Sequence, residues 1–324
     1  MKQEIARVLS FKEFFGIPNP VLPLVRLAAS VRDIQRRLDL IQVALGRIET
    51  RLDADAPTDV FHDHEFQVFS QWGEDGLIQY LLRRVAITSR VFVEFGVQDY
   101  QEANTRFLVE KDNWKGFVID CVEASIEAIR RDSLSWRSNV KSICAFVNTD
   151  NINDIIRSQG IEGEIGLLSI DIDGNDYWVW QAIDCIRPGI VICEYNGLFG
   201  PSKKLVTPYD AKFDRTRAHF TYCYFGASLA ALTFLGRQKG YALVGSNSAG
   251  NNAFFVRGDL LGEIAAVEPE QAYRLPRFRE ARDESGRLSY GEFRQTQDII
   301  GDMLVFDLDL DLGRQVRLRD AVAT

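Results

Sequence analysis

Between residues 91 and 195, short apolar runs alternate with amphipathic stretches, and this alternation restricts the fold more than any other feature of the chain. Val91–Phe95, Gly116–Cys121, Val140–Phe146, Glu164–Ile172 and Ile190–Tyr195 read as strands. Glu102–Lys111, Glu123–Arg131, Ile152–Ser158 and Asp176–Ile183 read as helices between them. Repeated β-α-β units of this length require parallel strands joined by crossover helices, and so a doubly wound, mostly parallel α/β sheet. A long irregular stretch, Gly197–Tyr224, follows. Loops of that length inside a domain usually act as lids or binding loops. The spacing then predicts a helix over Ser228–Gln238 and an antiparallel hairpin of Tyr241–Gly245 with Asn252–Arg257.

Several of these runs end in acids. The fourth gives way to Ser169-Ile170-Asp171-Ile172-Asp173-Gly174-Asn175-Asp176. Open α/β sheets bind ligands beyond the carboxyl ends of their strands, so carboxylates delivered there need an offsetting cation, donor or ligand. The first run ends in Glu94-Phe95-Gly96, where a glycine lets the backbone approach a ligand closely. Val97-Gln98-Asp99-Tyr100 follows, not a G-x-G-x-x-G turn, which counts against a dinucleotide and its pyrophosphate. It counts less against S-adenosylmethionine, which has no pyrophosphate. Asp120 ends the second run and either accepts ribose hydroxyls or caps the next helix.

Strand alternation puts Asp171 and Asp173 on one side, and Glu194 and Asn196 end the neighbouring fifth strand. These groups should converge. Asp171, Asp173 and Glu194 would hold a divalent cation, Mg2+ or similar, that positions and acidifies a substrate hydroxyl. Alternatively, one carboxylate is a general base whose pKa its acidic neighbours raise. Asn175 reads as the cap that starts the following helix. In the long loop, His219 is a candidate base or ligand, and Tyr195, Phe199, Tyr209, Phe213, Tyr222, Tyr224 and Phe225 are candidate pocket walls.

Ser70-Gln71-Trp72-Gly73-Glu74-Asp75, Glu94-Phe95-Gly96 with Asn104-Thr105, Ile170 to Asp176, and Glu194-Tyr195-Asn196 together resemble the FkbM-like group of S-adenosylmethionine-dependent methyltransferases. Tyr224 to Leu229 and Gly250 to Phe255 look similar to later motifs of the same group. The resemblance covers residues 66–260. It implies the methyltransferase variant of the Rossmann fold, with S-adenosylmethionine as cofactor and O-methylation of a sugar, glycan or similar hydroxylated metabolite. Glu94 and Gly96 would lie at the methionine part of the cofactor and Asp120 at its ribose. The Gln71–Asp75 segment would cover the cofactor, and Asp99, Asn104 and Asp171 would complete its contacts. Asp173, Glu194, Asn196 and His219 would serve the acceptor. The chain departs from the general methyltransferase pattern at Gln98 and Tyr100, where small residues are commoner. That departure leaves open two other functions: a non-catalytic scaffold on the same fold, and a metal-dependent sugar-processing enzyme.

Ahead of this domain, Leu24, Val31, Leu38, Leu45 and Leu52 alternate with Leu27, Ile34, Ile41 and Ile48 at spacings of three and four. That heptad pattern predicts a coiled-coil helix, and its leucine/isoleucine seam favours a trimer or tetramer over a dimer. The expected organisation is an amphipathic segment over residues 1–23 and an oligomerisation helix over 24–53. A linker over 54–60, the α/β domain over 61–260 and a peripheral subdomain over 261–324 complete it. Residues 1–16 carry apolar side chains with basic flanks and could touch a membrane surface. No apolar run is long enough to span one. A net charge of −8 with a pI near 5.1 argues against nucleic acid as partner. The five cysteines form no C-x-x-C pair and, with no secretory signal, point to a reducing, cytoplasmic setting. Asp307, Asp309 and Asp311 alternate with leucines, as on an exposed edge strand.

Overall fold

Residues 21–56, 58–277, 281–310 and 314–322 are described by a computed structural model. They divide into two units, with the boundary between Ile48 and Glu49. The amphipathic segment expected at residues 1–16 lies outside the described residues. Helix α1, Val21–Ala54, spans 34 residues. The seam side chains from Leu27 to Ile48 stand open: Leu27, Val31, Ile34, Leu38, Ile41, Leu45 and Ile48 are each at least 51% exposed. Asp33 pairs with Arg36 and Arg37 along the exposed helix.

The second unit takes in the last turn of α1, so it begins at Glu49 rather than at residue 61. Asp53 there accepts a bond from buried His64 at 2.7 Å and pairs with Arg83. The expected parallel sheet follows. Strands β1 (Val91–Phe95), β2 (Lys115–Asp120), β3 (Val140–Cys144), β4 (Gly163–Ile170) and β5 (Ile186–Glu194) alternate with helices. Those helices are α2 (Glu74–Arg84), before β1, then α3 (Arg106–Asp112), α4 (Glu123–Arg131), α5 (Leu134–Arg137), α6 (Ile152–Ser158) and α7 (Asp176–Ala182). After β6 (Leu205–Val206), α8 (Arg215–Ala218) and α9 (Leu229–Gln238) come β7 (Tyr241–Ser246) and β8 (Asn252–Arg257).

The seven-stranded order is β3-β2-β1-β4-β5-β8-β7, parallel through β5, with β8 antiparallel to both of its neighbours. This is the Rossmann-like methyltransferase topology. Pairing in register lines up Val93, Phe117, Leu168, Val191 and Phe255 across the sheet, all fully buried under one helix layer. One residue along, Phe92, Leu167, Ile190 and Val256 form the opposite core. Near-continuous apolar strands are what two covered faces require. The order reverses between β1 and β4, and the crevice at such a switch point is where doubly wound sheets bind ligands.

Residues 261–324 are not peripheral. Strands β9 (Leu304–Asp307) and β10 (Gln315–Arg317) form a three-stranded sheet with β6, in the order β10-β9-β6. Phe199, Leu205 and Tyr224 from the long loop share a core there with Ile300, Val305 and Leu318. The edge strand expected around Asp307 is therefore central, and Asp307 is buried. Asp309, past the end of the strand, pairs with Lys204 at 2.5 Å, and Asp311 lies outside the described residues.

Candidate active site

The chain leaves β1 through Gly96 in a left-handed conformation, φ 74°. A Cβ at that position would overlap the carbonyl oxygen of Asp171. The glycine is thus required by the approach of two strand exits to each other, whereas the sequence pointed to approach of a ligand. The turn that follows keeps a glycine-loop backbone without glycines: Gln98 and Tyr100 adopt φ 47° and 65°, each at a cost of about 1 kcal/mol. Asp120 holds that turn, its Oδ2 accepting from the Gln98 N–H and its Oδ1 from the Val122 N–H, both at 2.8 Å. Each carboxylate oxygen keeps a second lone pair free for a hydroxyl. Tyr100 is buried, and its hydroxyl bonds Thr105 Oγ1 at 2.7 Å.

Glu94 turns away from the cleft's centre to organise the start of α3. Its oxygens accept from the Asn104 N–H at 2.8 Å, the Thr105 N–H at 3.1 Å and the Thr105 hydroxyl. Burial pushes its pKa up to about 7 even against these donors. The Asn104 amide reaches Ser169 Oγ at 3.0 Å on β4.

At the other side of the switch point, β4 and β5 deliver the acids. Asp171, Asp176 and Glu194 bring carboxylate oxygens within 4.8 Å of one another. Asp173 is not among them: it sits at φ 57° and pairs with Arg215 of α8 at 3.1 Å. The turn is held by Asp176, which accepts from the Ile172 N–H at 2.8 Å and the Gly174 N–H at 2.9 Å. Asn175 occupies the position before α7 without a side-chain cap bond. Its amide donates instead to the Asp210 carbonyl at 2.8 Å, tying the long loop down.

Asp171 and Glu194 lie together at the floor of the cleft. Burial, then repulsion from neighbouring acids, drives both pKa values well above the ordinary carboxylate range. Arg215 partly offsets this for each. Glu194 Oε2 is buried with no partner among the described residues. The cation expected on Asp171, Asp173 and Glu194 does not find that donor set: Asp173 pairs with Arg215, and Asp176, already engaged by two backbone N–H groups, stands in its place.

Around these groups opens a cleft of about 220 Å³, lined by Gln71, Gly96, Gln98, Asp120, Asp171, Asp173, Glu194, Phe213, Arg215 and Asn251, among others. A second opening of about 270 Å³ adds Glu94, Asp99 and Asn104 around the shared Gln71, Gly96 and Asp171. Three expected residues stand outside it. Asp75 is buried, and its Oδ2 accepts from the N–H groups of Val68, Phe69 and Ser70 at 2.6–2.8 Å. It shapes the loop that presents Gln71 and does not reach the cleft. Asn196 accepts from the Leu198 N–H and donates to the Cys223 and Phe225 carbonyls, so it fixes the loop after β5. His219 lines neither opening; its Nδ1 bonds Thr221 Oγ1 at 2.8 Å, and burial lowers its pKa.

Phe213, expected as a pocket wall, does line the cleft. The sequence assigned no site role to Arg215 or Asn251, which lie in a one-turn helix and a turn where no periodicity marks a residue. Only the placing of the long loop beside the acids could have pointed to an arginine there. Sequence reasoning also missed why Glu74 is buried. Its Oε1 accepts from the amides of Asn247 at 2.6 Å and Asn252 at 2.9 Å, and its Oε2 from the Trp72 and Gly73 N–H groups at 3.0 Å. Two motifs far apart in sequence thereby form one junction.

No family model matches the chain, and no curated protein does. Solved structures similar to it include the O-methyltransferase from Bacillus cereus in complex with SAH. That match has a TM-score of 0.39 and 14% identity, and covers 65% of this chain and 89% of that one. The N-terminal domain of EvdMO1, in the presence of SAH and D-fucose, aligns with a TM-score of 0.35 and 10% identity over 56% and 80% of the two chains. The pyocyanin biosynthetic protein PhzM aligns with a TM-score of 0.33 and 11% identity over 56% and 54%. The strand order and register, not these distant likenesses, carry the fold.

Proposed function

We propose that this chain is an S-adenosylmethionine-dependent O-methyltransferase acting on a hydroxyl of a sugar, glycan or similar hydroxylated metabolite. The observation that carries this reading is the convergence of the β1, β2, β4 and β5 exits on one cleft floored by Asp171 and Glu194. The resemblance of the same segments to the FkbM-like group agrees with it. The residues fit the cofactor: Asp120 retains acceptor capacity for ribose hydroxyls, and the Gly96–Tyr100 turn leaves an open bay beside it. When bound, S-adenosylmethionine supplies an electrophilic methyl group.

The chain's own groups then have two tasks. One is alignment, which dominates methyl transfer because the reacting atoms must stand in line. Gln71, Asp120 and the turn at Gln98 would orient the donor, and Arg215 and Phe213 would close the acceptor side. The other is receipt of the hydroxyl proton. Asp171 or Glu194, which lie at the floor of the cleft with raised pKa values, would take it as general base.

Titration calorimetry with S-adenosylmethionine and S-adenosylhomocysteine tests the reading: binding of both is expected, and binding of neither by folded protein overturns it. The open seam of α1 supports a homo-oligomer, a trimer or tetramer through residues 24–53, in a cytoplasmic setting. Sedimentation equilibrium checks this, with Leu38→Glu plus Ile41→Glu expected to give monomers. The seam also favours the second reading, an assembly protein on a methyltransferase fold. That reading expects Asp171→Ala and Glu194→Ala to leave cellular function intact.

A further inference from the structure

We infer that Asn251 binds the oxygen that accepts the methyl group, through a side-chain N–H donor aimed in advance by the Glu74 junction, and that this donor restricts the enzyme to hydroxyls. The inference rests on the methyltransferase reading and deepens it, since it separates O-methylation from N-methylation. Asn251 lines the main cleft together with Glu194. The backbone holds it beside that acid: the Tyr195 N–H donates to the Asn251 carbonyl at 2.7 Å, and Glu194 pairs with Asn252 in the sheet.

Every polar atom of Asn251 but one is already spent. Its N–H donates to Asn247 Oδ1 at 3.1 Å, and its carbonyl is taken by Tyr195. Its side-chain oxygen accepts from Asn247 Nδ2 at 2.7 Å. The neighbours dictate which end of each amide is oxygen. Asn247 Oδ1 receives three backbone N–H groups, from Gly250, Asn251 and Asn252, each at 3.1 Å. The other end of that amide is then the nitrogen, which also donates at 2.6 Å to the Glu74 carboxylate, a group that only accepts. That nitrogen in turn requires an oxygen on the facing atom of Asn251. What remains is Asn251 Nδ2, which has no partner among the described residues, on a side chain only 9% exposed. The acceptor of this amide is committed to the framework, and its donor is left for the cleft.

Glu194 supplies the complementary group, since its Oε2 is buried with no partner among the described residues. A hydroxyl oxygen carries one hydrogen and two lone pairs. With the hydrogen turned to Glu194 and one lone pair on Asn251 Nδ2, the second lone pair stays free to face the methyl group. A free amine has a single lone pair, which the Asn251 donor would occupy, and an ammonium has none. Neither can attack while bound in this way.

The full chain is crystallised with S-adenosylhomocysteine, and water serves as the probe hydroxyl. One ordered water should lie within about 3.2 Å of both Asn251 Nδ2 and a Glu194 carboxylate oxygen. In parallel, S-adenosylmethionine with a labelled methyl group is offered 2-aminophenol and D-glucosamine, each of which carries a hydroxyl beside an amine. Label should appear on oxygen only. Asn251→Ala should lower kcat by about 10- to 10²-fold with S-adenosylhomocysteine affinity unchanged. Asn251→Asp keeps an acceptor for Asn247 and removes the donor, so it should be as impaired as Asn251→Ala, whereas a merely structural role would be rescued by it. Label on nitrogen, Asn251→Asp as active as the unaltered chain, or no water shared between Asn251 Nδ2 and Glu194 overturns the inference. If neither probe is methylated, the shared water alone decides. Failure of S-adenosylhomocysteine itself to bind defeats the methyltransferase reading instead; the water site in crystals of the free protein then still reports on the donor.

Discussion

Glu74 and Asp75 on one side, and Asp171 and Glu194 on the other, are acids enclosed at the same end of the sheet, yet they meet opposite surroundings. Glu74 is matched by two amides and two backbone N–H groups. Asp75 Oδ2 receives three N–H groups and the Ser70 hydroxyl. Asp171 and Glu194 have mainly each other, other acids and the more distant Arg215. Burial of charge is tolerable when donors converge on it and costly when they do not. The first pair therefore acts as framework, and the second retains the reactivity that a site needs.

The largest effect that would break this comparison is on Glu74. Glu74→Ala strands the Asn247 and Asn252 amides, and should destabilise the fold by roughly 3–5 kcal/mol at about 1–3 kcal/mol for each buried donor left unmatched, partly relieved by relaxation. Urea unfolding measures it, and a loss under about 1 kcal/mol would put Glu74 in the same class as Glu194. Glu194→Gln should do the reverse. It removes a charge that the fold holds unwillingly, so stability should hold or rise while methyl transfer falls by about 10²- to 10⁴-fold. An active Glu194→Gln variant would remove the base from the mechanism.

A third effect is in pH. Glu94, Asp75 and Asp176 have folded pKa values raised to about 7, 6 and 6. A raised folded value means the native state binds more protons than the unfolded chain. Stability from these groups is then fully present below the unfolded values near 4 and is lost as pH rises through 6 to 7. The melting temperature should decline from pH 5 to pH 8, and Glu94→Gln should flatten that decline. The smallest effect belongs to Arg215→Ala. Its partly exposed pair with Asp173 contributes under about 1 kcal/mol, but its field lowers the pKa of both Asp171 and Glu194. The acidic limb of the activity profile should move to higher pH in this variant.

Much of the frame was legible because the sheet's chemistry is written in runs of side chains. Val91–Phe95, Glu123–Arg131 and Ile152–Ser158 fall where periodicity put them. The acids were legible as a group, since strand exits carry them in order. Their partition was not. Which carboxylate receives backbone donors depends on turns such as 172–176, where Asp176 and not Asn175 does the holding. Arg215 was illegible because it stands on a single helical turn within the long loop, where no periodicity marks a residue. The heptad seam was legible as a repeat of leucines and isoleucines, and from Leu27 to Ile48 it stands open.

The pairing of Leu205 with Asp307 and of Val206 with Phe306 joins the roof of the site to residues made long after it. Contacts so distant along the chain form slowly, because the intervening loop must close first. The α/β sheet, and the acids at its strand ends with it, can therefore assemble before β6 is paired. Site completion is in this sense a timed event, and a nascent or clipped chain lacking residues 304–307 would carry those acids beside an unpaired β6.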